Sequence, residues 1–106
     1  MVEVDVNKAL NMTVRTGKVL FGAKLALDAA RSGKTKLIVL ASNCPKAIRQ
    51  DMEYYTKLSA VPLYMFRESG LDLGAACGRP FSVAALAIKE IGDSDIMKTV
   101  EDQNAQ

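Results

Sequence analysis

The 106-residue sequence contains no histidine and no tryptophan, and only two cysteines and three prolines. Without histidine there is no Ser-His-Asp triad, no Cys-His dyad, no imidazole base and no histidine-containing metal site, unless a partner supplies the ring. Cys44 and Cys77 are too far apart in sequence for a Cys-x-x-Cys pair, and they read as reduced thiols of a cytosolic protein. No apolar stretch approaches the roughly 20 residues that cross a bilayer; the longest run is Val83 to Ile88. The N-terminus, Met1-Val2-Glu3-Val4-Asp5, is acidic and lacks the charged-then-apolar pattern of a secretion signal. The expectation is a soluble, non-secreted, cytoplasmic domain with no membrane partner.

What is present is an ordinary globular composition, 49% hydrophobic and 25% charged, in a chain long enough for one core without disulfide staples. The net charge is only +2, but it is unevenly placed. Residues 1–89 hold 13 Lys/Arg against 7 Asp/Glu, whereas residues 90–106 hold one Lys and five acids. Between Lys8 and Arg49 nine basic residues face a single acid, Asp28. This asymmetry fits a polyanion-facing side, or a set of solvated helix faces.

Helical and strand patterns alternate. Val6, Leu10 and Val14 recur every four residues in a first helix that Asp5 could cap. Gly17 stops it as a residue able to take positive φ. Lys18 to Phe21 reads as a strand. Ala23 to Ser32 reads as a helix with Leu25, Ala26, Ala29 and Ala30 on one face, ended by Gly33. Leu37 to Ala41 is a branched, continuous run, as in a central strand covered on both faces. Pro45 suits the first position of a third helix carrying Ile48, Met52, Tyr55 and Leu58. Pro62 to Phe66 is a strand, Gly70 to Ala76 a short helix capped by Ser69, and Val83 to Ile88 the last strand. Asp93 caps a final helix containing Ile96 and Val100. The pattern predicts five helices and four strands in an α/β fold, a sheet between two helical layers. Residues 1–100 form one domain and 101–106 a polar tail.

Two phosphate-handling motifs fail on inspection. Gly17 to Lys24 imitates G-x-x-x-x-G-K-[ST], but Ala23 occupies the lysine position and Leu25 the hydroxyl position. A phosphoacceptor domain needs carboxylates at strand ends to hold Mg²⁺, and Leu40-Ala41-Ser42-Asn43 offers none. Asp51 and Glu53 are two apart on one helix and point to different faces, so they make poor acid–base partners. Cys44, at a helix N-terminus, sits where the dipole would favour a thiolate, yet no base accompanies it. Neither a metal, a cofactor nor an enzymatic activity is expected.

In alternating folds of this kind, sites gather on loops at one sheet edge. Three loops qualify: Phe21-Gly22-Ala23-Lys24, Ser42-Asn43-Cys44-Pro45 and Gly78-Arg79-Pro80-Phe81. Gly22 lets a ligand approach the backbone, Lys24 adds a mobile cation, Asn43 can donate and accept at a base edge, and Phe81 is an aromatic in a turn. The plainer readings are a core residue for Phe81, a turn residue bonding its own backbone for Asn43, and a solvated helix residue for Lys24.

Certain segments carry a resemblance. They are Thr16-Gly17-Lys18-Val19 with Gly22-Ala23-Lys24, Lys36 to Asn43, Asp51 to Tyr55 with Leu58-Ser59, Leu73 to Pro80, and Gly92 to Ile96. Over about Asn7 to Ile96 the chain resembles the family of the eukaryotic and archaeal large-subunit ribosomal protein thirty, within the kink-turn-binding ribosomal superfamily. The resemblance implies an α/β/α sandwich of three layers with a four-stranded mixed sheet. It also implies binding to kink-turn-type internal loops of large-subunit ribosomal RNA, with neighbouring ribosomal proteins as further contacts and a monomer away from the ribosome. Gly22 and Lys24 would lie against sheared purine pairs, Asn43 against a guanine edge, and Phe81 on a base near the kink, with Arg79 and Val83 shaping that loop. The chain departs from some archaeal relatives at Pro45, where they carry arginine; Lys46 or Arg49 would make the phosphate contact instead. The competing class is a protein-interaction or regulatory module on the same sandwich, which the basic run from Lys8 to Arg49 disfavours.

Overall fold

The computed structural model describes residues 6–92 and Ile96. In chain order the elements are α1 (Val6–Thr16), β1 (Lys18–Phe21), α2 (Ala23–Ser32), β2 (Leu37–Leu40), α3 (Lys46–Leu58), β3 (Leu63–Met65), α4 (Gly70–Ala76) and β4 (Ala85–Glu90). The four strands form one mixed sheet in the order β1-β4-β2-β3. β4 is antiparallel to β1 and to β2, and β2 is parallel to β3. β1, β2 and β3 therefore run in one direction, and their C-terminal ends meet the start of β4 at a single rim. Register fixes this rim: Phe21 faces Leu86, while Leu40 faces Ala85 on one side and Met65 on the other.

The two inner strands explain the long apolar runs. Leu37 to Leu40 and Ala85 to Ile88 are fully buried because both faces of the sheet are covered. Strand alternation then divides the side chains. Leu37, Val39, Leu86 and Ile88 join Leu10 of α1 and Leu73 of α4 in one cluster. Ile38, Leu40, Ala85 and Ala87 join Ala26, Ala29 and Ala30 of α2 and Met52 of α3 in the other. The second cluster is alanine-rich where α2 meets the sheet, and small side chains let helix and sheet approach closely. The beginning of α2 is thereby held against the rim.

Four helices are defined among the described residues, against five expected. Of the fifth, Ile96 is helical and buried in the first cluster, whereas the expected cap Asp93, Val100 and the tail 101–106 lie outside the described residues, as does the Asp5 cap. Several further expectations need correction. Gly17 does not have positive φ. It is required by crowding instead, since a Cβ there would run into the Glu90 carbonyl oxygen. Pro45 is the N-cap of α3, one position before the expected place. Leu25 and Leu58 are 48% and 70% exposed rather than packed, their places in the core being taken by Ala26 and by Met52 and Thr56. The last strand starts at Ala85, not Val83, because the Val83 N–H donates to Gly70 O (2.9 Å) instead of joining the ladder. The expected ends held for β1, α2 and α4, with Gly33 closing α2 in the left-handed region and Ser69 capping α4.

α4 and the segment after it pack through glycine. Gly70 and Gly74 lie one turn apart, and residues 81–83 run directly over them. A Cβ at Gly70 would meet Ser82 Oγ at 2.7 Å, and one at Gly74 would collide with the Phe81 carbonyl oxygen. This close approach sets the height of Phe81 above α4. Gly74→Ala should accordingly destabilise the protein by about 1–3 kcal/mol through overpacking. Helix propensity alone predicts a gain of about 0.5–1 kcal/mol. Thermal unfolding followed by circular dichroism decides between the two signs.

Candidate nucleic-acid interface

The three loops do converge. The first residue of β4 and the one before it present successive carbonyls to the two neighbouring strands: Ala85 O accepts from Gly22 N (3.0 Å) and Ala84 O accepts from Ala41 N (2.9 Å). The β1–α2 and β2–α3 loops thus flank the start of β4, about two strand spacings (roughly 10 Å) apart. The segment 78–84 arrives at the same place as the N-terminal lead into β4. β3 completes the edge, with Phe66 N donating to Leu40 O (2.7 Å) and Ser42 N to Glu68 O (3.0 Å).

Gly22 has φ 112° and ψ 147°, a conformation open to glycine and costly for other residues. A Cβ there would meet only open space, so the requirement is conformational and the surface in front of it is free. Gly22 is also the N-cap of α2 and provides no side-chain acceptor; Pro45 likewise leaves the start of α3 without a side-chain cap. Neither helix has an acid in its first turn. Two positive helix ends therefore open onto the rim. Lys24 and Lys46, both exposed, lie in those first turns. Arg49 is half-buried one turn further along α3, beside Cys44.

Asn43 is exposed, and its Oδ1 accepts from Gly70 N at 2.9 Å. The bond reaches across 27 residues to the start of α4, so Asn43 is not the local turn former of the plainer reading. With one lone pair of the oxygen engaged, the side-chain NH₂ stays free to donate to acceptor edges.

Phe81 is 50% exposed and so is not a core residue. Its ring packs edge-on to Phe21, with centroids 6.5 Å apart and planes at 87°. The Arg79 guanidinium carbon lies 4.8 Å from the centroid of the same Phe21 ring. Val83 is 2% exposed and belongs to the first core cluster, so it supports the loop from beneath and presents no surface of its own. Phe21 is the residue that strand reasoning passed over. Its parity with Val19, two residues earlier and facing the same side, was the available signal.

Both cysteines are buried. Burial pushes the Cys44 thiol up, opposed in smaller measure by Arg49, and not down as its position at a helix N-terminus would suggest. Cys77 is driven by burial from its ordinary 9.0 to about 11. Among the described residues no three His, Cys, Asp or Glu side chains gather as a metal site, and no helix is long and apolar enough to cross a membrane.

The two roles of Asn43 separate by substitution. Asn43→Ala leaves the Gly70 N–H without its partner and should cost about 1–3 kcal/mol in chemical denaturation. Asn43→Asp keeps the acceptor and should stay within about 0.5 kcal/mol of the parent, while replacing the outward donor with a negative charge.

Residues 4–98 match the model of the ribosomal protein L7Ae/L30e/S12e/Gadd45 family. Relatives include the large ribosomal subunit protein eL30 of Methanocaldococcus jannaschii, 48% identical over 92% of this chain and 89% of its own. The eL30 of Pyrobaculum neutrophilum is 44% identical over 92% of this chain and 97% of its own. Among solved structures, a protein of unknown function from Bacillus halodurans superimposes with a TM-score of 0.77 over 98% of this chain and all of its own. At 16% identity that likeness speaks for the fold alone. A family match over nearly the whole length, joined to relatives close to half identical, establishes that this chain belongs to the ribosomal protein L7Ae/L30e/S12e/Gadd45 family.

Proposed function

We propose that the chain is a structural constituent of the large ribosomal subunit that binds ribosomal RNA at a kink-turn-type internal loop through the rim described above. The names of its relatives support the ribosomal assignment. The observation that carries the RNA-binding reading is the convergence of Gly22, Asn43 and Phe81 on one edge, with Lys24, Lys46, Arg49 and Arg79 around them. No carboxylate lies in residues 21–27, 41–49 or 78–84.

Each element suits irregular RNA better than duplex. The deep groove of A-form RNA excludes side chains, whereas an internal loop exposes base edges and faces. Phe81 offers a ring to one unstacked base. The Asn43 NH₂ matches the acceptor pair on a guanine edge. The open backbone at Gly22 allows close approach of paired purines, and the first-turn N–H groups of α2 lie beside them. Lys24, Lys46, Arg49 and Arg79 supply phosphate neutralisation. The role is scaffolding and recognition on the ribosome in the cytoplasm, with neighbouring ribosomal proteins as further contacts, and the chain acts as a monomer when free.

A gel shift comparing a kink-turn RNA with the same strand fully paired tests the proposal: the kinked form should be retained and the duplex should not. Equal retention of both would reduce the rim to a general cation patch. Phe81→Ala should weaken binding to the kinked RNA at least about fivefold, from a stacking loss of about 1–3 kcal/mol. With about four phosphates neutralised, log K should fall against log salt with a slope of roughly −3. Lys24→Ala should make that slope shallower by about one unit, and an unchanged slope in filter-binding titrations would show that Lys24 faces solvent in the complex.

A further inference from the structure

We infer that Phe21 is a positioning residue of the RNA-binding rim, its ring fixing the Arg79 guanidinium and the Phe81 ring before RNA arrives; this rests on the RNA-binding reading above. Phe21 ends β1 immediately before Gly22. Its backbone is held in register opposite Leu86, and its half-buried ring packs against the core cluster shared by α1 and α4. The ring therefore belongs to the rigid sheet, whereas Arg79 and Phe81 belong to a connecting segment.

These two exposed side chains rest on the same ring. Arg79 lies over the Phe21 ring at 4.8 Å, and Phe81 stands edge-on to it at 6.5 Å. No carboxylate among the described residues pairs with the Arg79 guanidinium. The backbone contributes the rest: Arg79 N donates to Gly74 O at 2.8 Å, and the chain at Phe81 lies against Gly74. A long arginine side chain in water samples many rotamers, and ordering it on contact with RNA would cost entropy. The Phe21 ring removes part of that cost in advance, because a guanidinium stacks on an aromatic face and two rings prefer the edge-to-face arrangement. The consequence is a prearranged pair, one cation for a phosphate and one ring for the neighbouring base.

The experiment uses the intact chain and a kink-turn RNA. Phe21→Leu keeps apolar bulk against the core but removes the π face. It should weaken binding roughly threefold to tenfold through loss of the stacked contacts, with the melting temperature little changed. Phe21→Tyr should restore affinity. In a Phe81→Ala background the effect of Phe21→Leu should shrink, since one of the two groups it positions is gone. Parent-like binding by Phe21→Leu, with Phe81→Ala clearly weakened, would overturn the inference and leave Phe21 a packing residue. If neither variant changes affinity, the RNA-binding reading of this rim fails first. A second measurement stands independent of RNA and of how Phe21→Leu folds. In the free parent protein, the Arg79 side-chain protons should be shifted upfield by the ring current of Phe21. Random-coil shifts for those protons would also overturn the proposal.

Discussion

Two consecutive carbonyls hold this molecule's working edge together. Ala84 O and Ala85 O point to opposite sides of β4 and accept from Ala41 N and Gly22 N. Because β4 is antiparallel to both neighbours, its beginning is the only place in the sheet where it can meet the ends of β1 and β2. The loops that leave those strands are thus fastened to one short stretch of backbone. Everything placed on them inherits the rigidity of the two buried inner strands.

Around that stretch, glycine serves two separate purposes. At Gly22 the backbone adopts a positive φ that other residues resist, and the space in front stays open. At Gly70 and Gly74 the conformation is ordinarily helical, and the missing Cβ lets residues 81–83 lie on α4. The first opens a surface; the second sets the position of a side chain on it. Asn43 joins the two regions, since its Oδ1 satisfies the N–H of Gly70. One exposed amide therefore supports the fold through its oxygen and keeps its nitrogen free to donate.

The electrostatic arrangement follows the same economy of parts. The starts of α2 and α3 lack side-chain caps and first-turn acids, so their partial positive charges remain uncompensated beside exposed Lys24 and Lys46. Solvent tolerates such charge at little cost while the surface is wet. A polyanion with its own backbone bent toward the edge would replace that water with phosphate. Both thiols are buried, and burial pushes their pKa values up.

The sequence by itself determined most elements, the glycine and serine that bound α2 and α4, the candidate loops and the uneven charge. Periodicity and turn chemistry are local properties, and Leu37 to Leu40 or Gly33 needed no distant partner to be read. Residues that could be satisfied in two ways were decided by tertiary structure. Leu25 and Leu58 had helical spacing, yet α2 meets the sheet through alanines and α3 joins the same cluster through Met52, so both leucines were left outside. Gly17 was legible as a stop, while its reason, the Glu90 carbonyl, comes from β4 at the far end of the chain. The Asn43–Gly70 bond and the placement of Phe21 under Arg79 and beside Phe81 join segments 27 to 60 residues apart. Such contacts exist only after strand order is set, and strand order is fixed by how the two helical layers bury the sheet rather than by any local pattern.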